Sequence, residues 1–177
     1  VSLQLHDLTF SPFISEETID RAIARIAQEL KRDFNGKEPL FIGVLNGSFM
    51  FAADLLKKLD FPLHISFVKV ASYEGTKSSG TVSELIGLKE DISGQTVVLL
   101  EDIIDTGNTL EELYEALQKK GVAKTKIATL LYKPKAYTKK IPIDYVGLEI
   151  PNDFVVGYGL DYDGLGRNLP AIYKLKE

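Results

Sequence analysis

The sequence holds 177 residues, 45% of them apolar and 26% charged, with a formal net charge of −4 and no cysteine. That length buries a core as a single domain, and the balance of apolar and charged residues excludes a disordered or fibrous chain. The acidic balance gives no electrostatic footprint for nucleic acid or an anionic membrane, missing cysteine removes disulfides and thiolate metal sites, and no run approaches the ~20 apolar residues of a membrane helix.

Residues 1–14 read as irregular or edge-like, and no basic stretch there leads into an apolar core, so a cytoplasmic location is expected. His6 reads as a surface residue. Ser15, followed by Glu16 and Glu17, predicts a helix N-cap. Ile19, Ala22, Ile23, Ile26 and Leu30 then recur at the spacing of one buried stripe, which ends before Asn35-Gly36. Pro39 precedes an apolar strand over 40–45, and Asn46-Gly47-Ser48 turns the chain into a second helix over 49–59. A strand is predicted over 64–71. The polar, glycine-bearing run 72–81 that follows reads either as a hairpin connection or as a mobile lid before a strand over 82–88.

Val97, Val98, Leu99 and Leu100 form a continuous β-branched and apolar run, the pattern of a strand buried on both faces of a parallel sheet. Leu110, Leu113 and Leu117 carry helical spacing, so the stretch is strand, loop, helix. Open α/β sheets hold ligands beyond the carboxyl ends of their strands, where helix N-termini also present unpaired N–H groups to anions. The loop has no Walker-type ending and no Gly-x-Gly-x-x-Gly. It carries instead Glu101, Asp102, Ile103, Ile104, Asp105, Thr106, Gly107, Asn108 and Thr109. Two acids beside a phosphate cradle repel the phosphate unless they hold ribose hydroxyls or a hard cation such as Mg²⁺. Singly, each residue also suits a solvated turn or a helix cap; as a set they call for a sugar phosphate with a metal.

Past Gly121, a C-cap, a strand is predicted over 127–132, ending at Lys133-Pro134. From 135 onward only short strand-like pieces appear, over 145–150, 154–157 and 171–175. Early strand and helix alternation followed by strands predicts a parallel α/β core with a smaller appended region.

The run 98–109 resembles the phosphoribosyl diphosphate (PRPP) signature of the type I phosphoribosyltransferases. Its Glu-Asp-Ile-Ile-Asp-Thr-Gly form is most similar to the hypoxanthine-guanine phosphoribosyltransferases. The resemblance covers nearly the whole chain. It implies one phosphoribosyltransferase domain over 1–177, a mostly parallel sheet flanked by helices, its core at about 15–133. A small hood would be built from about 134–177 plus the N-terminal segment.

It also implies residue roles. Asp105 is the expected general base on the purine N7, and Asp105, Thr106, Gly107, Asn108 and Thr109 hold the 5′-phosphate. Glu101 and Asp102 hold the ribose hydroxyls and, with Asp161, Mg²⁺. The purine is expected against Ile103, Lys133, Phe154, Val155 and Asp161, with the Lys133 ammonium on O6, although without the resemblance Lys133 reads first as an exposed surface lysine. Leu45, Asn46, Gly47 and Arg167 are the expected pyrophosphate site, its Leu-x bond cis and its second residue here Asn rather than a basic side chain. Ser72 and Tyr73 belong to the lid.

The partners implied are PRPP, hypoxanthine and guanine, without nucleic acid or membrane, in a homodimer or homotetramer. A xanthine-accepting enzyme and a nucleic-acid-binding regulator that senses PRPP or nucleotides remain alternatives.

Overall fold

The computed structural model describes residues 2–74, 81–88 and 91–176, with side chains left out at 71–74 and 81–86. Its elements in chain order are β1 (Leu3–Leu5), β2 (Leu8–Ile14), α1 (Glu16–Asp33), β3 (Leu40–Val44), α2 (Phe49–Lys57), β4 (His64–Glu74) and β5 (Thr81–Ile86). There follow β6 (Thr96–Ile104), α3 (Asn108–Lys119), β7 (Lys124–Tyr132), β8 (Tyr145–Glu149), β9 (Val155–Val156) and β10 (Ile172–Leu175). The main sheet runs β5-β4-β3-β6-β7-β8. All its pairs are parallel except β4 with β5.

Alternation along the central strands divides the core, because successive side chains point to opposite faces. Val98 and Leu100 of β6 join Phe41 of β3 in one cluster with α1 and α2, while Val97 and Leu99 join Leu40 and Ile42 in a second cluster with α3. Both faces are thus covered, which is why β6 begins as an uninterrupted apolar run. Helix α1 buries Ile19, Ala22, Ile23, Ile26, Ala27 and Leu30, and Ser15 accepts from Thr18 N at 3.2 Å as its N-cap. Each of the larger aliphatic side chains contributes roughly 1.5–3 kcal/mol by leaving water. On α3, Leu110, Leu113 and Leu117 form the corresponding stripe.

A second sheet, β1-β2-β10-β9, is antiparallel and brings the early strands β1 and β2 together with the late strands β9 and β10. Phe10, Leu5 and Val156 form its small core.

The structure differs from the sequence reading in several places, β4 running on to Glu74 and β7 beginning at Lys124 among them. The segment read as irregular or edge-like is a hairpin, β1 and β2, with β1 at the edge of its sheet. β8, expected in the hood, is instead the edge of the main sheet beside β7. β6 does not stop at Leu100 but runs to Ile104, because β7 continues beside it, pairing Leu131 with Ile103 and Tyr132 with Ile104. Helix α3 starts at Asn108, not Leu110, since Gly107 takes a left-handed φ of 89° and turns the chain directly into the helix.

Candidate functional site

The carboxyl ends of β3, β6 and β7 lie side by side, and β3 and β6 feed a cleft of about 370 Å³. β3 delivers Leu45, Asn46 and Gly47; β6 delivers Glu101, Asp102, Ile103 and then the loop 105–109; Arg167 closes the rim. The Leu45–Asn46 peptide is cis. Beyond β7, Lys133 is buried and reaches across to β6, its Nζ 3.0 Å from Asp105 Oδ2.

Loop 105–109 presents the first turn of α3 to the cleft, with Gly107 as its N-cap and Asn108 N donating to Thr106 Oγ1 at 3.4 Å. Free N–H groups at such a turn, together with the helix dipole, suit an anion. Behind it stands a segment that carried no recognisable pattern. Thr138 N donates to Thr106 O at 3.2 Å, and a Cβ on Gly107 would lie 2.5 Å from Tyr137 Cε2 and 2.8 Å from Lys139 Cγ. Only glycine therefore fits at 107, for conformation and for space.

The pyrophosphate candidates are packed as tightly. A Cβ on Gly47 would fall 1.6 Å from Asp102 Oδ2, and one on Gly159 would fall 2.0 Å from Gly47 O. Arg167 ties the same turn down, donating through Nη1 to Gly159 O at 2.7 Å and pairing through Nη2 with Asp161 Oδ1 at 2.8 Å. Gly159 was missed by sequence reasoning; its one signal was the Gly-Tyr-Gly run at 157–159.

Burial first, and the charge of Asp102 second, push the Glu101 carboxyl well above the usual range. Burial likewise pushes Asp102 up to about 6, with Asp161 adding to the rise while hydrogen bonds from backbone N–H groups and the charge of Arg167 oppose it. Between the ordinary value near 3.8 and about 6, the folded protein holds the Asp102 proton more tightly than the unfolded chain does. Stability from this group is therefore present at low pH and lost as pH rises through about 6. Asp102→Asn is expected to raise the melting temperature of the ligand-free protein at pH 7.5 by a few degrees, the scale on which about 1 kcal/mol shows in a domain of this size. The gain should shrink by pH 5; thermal scans at the two pH values read it, and an equal gain at both would count against this account.

Two adjacent buried carboxylates present oxygens that are the hard donors Mg²⁺ prefers. Asp161 is placed less freely: Arg167 takes one of its oxygens and Gly164 N donates to the other at 2.8 Å. Among the described residues no three acidic or histidine side chains form a metal site, so Glu101, Asp102 and Asp161 are not gathered into one. The arrangement fits a magnesium ion carried in on a diphosphate and met by one or two carboxylates, rather than one caged by protein alone.

Of the residues expected against the purine, Phe154 is 44% exposed and stands edge-on to Tyr162 at 5.9 Å. Val155 beside it is buried in β9. Ser72 and Tyr73 lie on β4 opposite Ser83 and Val82. The centre of the expected lid, 75–80, lies outside the described residues, as do the Ser72 and Tyr73 side chains.

Residues 15–163 match the family model described as a phosphoribosyl transferase domain. The chain is 44% identical to a hypoxanthine-guanine phosphoribosyltransferase of Streptococcus pneumoniae, over 93% of this chain and 92% of that one. It is also 44% identical to one of Lactococcus lactis, over 92% and 89%. A hypoxanthine phosphoribosyltransferase structure from Staphylococcus aureus superposes with a TM-score of 0.83 at 40% identity, covering 94% of this chain and 91% of that one. An acid pair at a strand end, a glycine-capped helix beyond it and a lysine from the neighbouring strand thus sit on a shared fold, and the chain belongs to the phosphoribosyltransferases, within them to the hypoxanthine-guanine family.

Proposed function

We propose that the protein transfers the 5-phosphoribosyl group of PRPP to hypoxanthine or guanine, giving the nucleoside 5′-monophosphate and pyrophosphate. The observation that carries this reading is the pairing of Lys133 with Asp105 at 3.0 Å. A 6-oxopurine presents an acceptor, O6, and a donor, N7–H, on one edge. An ammonium and a carboxylate held side by side at neighbouring strand ends are the complement of that edge.

In this reading the 5′-phosphate rests on the N–H groups of 106–109, and Glu101 and Asp102 take the ribose hydroxyls. The purine stacks on Phe154 between Ile103 and the backbone of Val155, with Asp161 at its rim. N9 of the base bonds to C1′ as the bond from C1′ to pyrophosphate breaks, and the leaving oxygen keeps the electron pair. Asp105 receives the N7 proton, while Arg167 and the backbone at 45–47 receive the pyrophosphate. Mg²⁺ bound with PRPP would be met by Glu101 and Asp102, with Asp161 following if Arg167 turns to the pyrophosphate; it supplies charge neutralisation of the leaving group.

Pyrophosphate release measured with hypoxanthine, guanine, xanthine and adenine in turn tests the reading. Turnover is expected with the first two, to vanish in EDTA and to return with Mg²⁺. Undiminished turnover in metal-free buffer would remove the metal, and release with adenine alone would remove the 6-oxopurine assignment.

A homodimer or homotetramer is the corresponding assembly. Ile65 and Phe67 share one face of β4, and with Leu45 and Phe49 they leave large apolar side chains exposed, which supports self-association. Light scattering on the eluting protein is expected to give at least twice the chain mass of 19.6 kDa. A cytoplasmic enzyme is the matching location; among the described residues no helix is long and apolar enough to cross a membrane.

A further inference from the structure

The phosphate loop 105–109 carries a carboxylate and no basic side chain, and a second carboxylate stands close above it. Glu111 is in the first turn of α3, its N donating to Gly107 O at 2.9 Å, so it occupies the same helix face one turn on from the cradle. A dianionic phosphate at this helix end would meet that negative charge within the range over which the dipole acts. The structure answers it from outside the motif. Lys139 lays its stem against Gly107 and places Nζ 2.6 Å from Glu111 Oε2; its side chain is 19% exposed, against 44% for Glu111. The stem is fixed on both sides, since Thr138 is bonded to Thr106 O and Tyr137 OH donates to Ile141 O at 2.6 Å.

We propose that Lys139 is a positioning residue of the phosphate cradle, which cancels the charge of Glu111 and so keeps the α3 N-terminus attractive to a sugar 5′-phosphate. The proposal rests on the phosphoribosyl reading for its ligand, but its mechanism is a charge balance at one helix end. Three features separate this from an incidental surface pair: the lysine is mostly buried, its stem touches the cradle glycine, and its partner lies within the first helical turn.

The test is a double-mutant cycle read by ribose 5-phosphate binding in calorimetry beside the KM for PRPP. Lys139→Met keeps the stem and removes the charge. It is expected to weaken ribose 5-phosphate binding about tenfold, the upper part of the range for a charge at a helix end, and to raise KM for PRPP more than KM for hypoxanthine. Lys139→Arg should retain affinity. Glu111→Gln in the Lys139→Met background should restore it, which lost packing would not do. Unchanged binding in Lys139→Met, or a double variant as weak as the single one, would overturn the proposal. A wild type that binds ribose 5-phosphate without transferring from PRPP would instead overturn the transfer reading and leave this cycle interpretable.

Discussion

Replacing Lys133 with methionine will lower kcat/KM for hypoxanthine and guanine by roughly 10- to 100-fold, the worth of a hydrogen bond from a charged donor, and will narrow the margin against adenine. The ammonium is buried and already aligned by Asp105 at 3.0 Å, so it approaches the base without first giving up bulk water. It can only donate. Adenine would bring an amino group to it and leave two donors facing each other, and sites built on such a bond reject the wrong analogue by ~10⁴- to 10⁵-fold. Methionine keeps the length of the chain and loses the donor. Asp105 is half exposed and tolerates the loss of its partner, so PRPP binding should stay near that of the wild type. Steady-state kinetics with the three purines decides; if the variant discriminates against adenine as well as before, the backbone around Val155 reads the base instead.

Asp105→Asn is expected to lower kcat by ~10²- to 10⁴-fold while KM for PRPP changes little. The side chain stands between the buried Ile104 and the phosphate turn, on the same strand end as the acid pair, where only a base at N7 would feel the loss of its proton-accepting oxygen. Asparagine preserves the shape and still accepts from Lys133 through its carbonyl, so folding should not suffer. A kcat within twofold of wild type would take Asp105 out of proton transfer.

Much of this architecture was legible from local pattern. The Ser15 cap and the α1 stripe came directly from spacing, as did the apolar start of β6, because there local preference and tertiary packing agree. The end of β6 did not. Glu101 is an acid in a buried strand, and binary patterning reads an acid as the start of a loop; the pairing of Ile103 and Ile104 with β7 overrides it. Such conflicts are expected at functional sites. β1 and β2 were unreadable for a different reason: β2 contains Pro12 and is held by β10, whose partner positions lie at the far end of the sequence. The resemblance put 101–109 and Lys133 in one site, and Lys133 does stand against Asp105, whereas Tyr137 and Lys139 act through contacts in space and left no periodic or motif signal, and Gly159 left only the Gly-Tyr-Gly run.

The sheet that joins β2 to β10 has a consequence in time. β9, which carries Val155, pairs with the main body of that sheet only through β10. On a ribosome the loop 105–109, the acid pair and Lys133 emerge and can pack while β9 is still without its neighbour strand. Non-local pairing of this kind closes late. The wall that carries Val155 is therefore completed only after the strand ends that bear Lys133 and the acid pair are already in place.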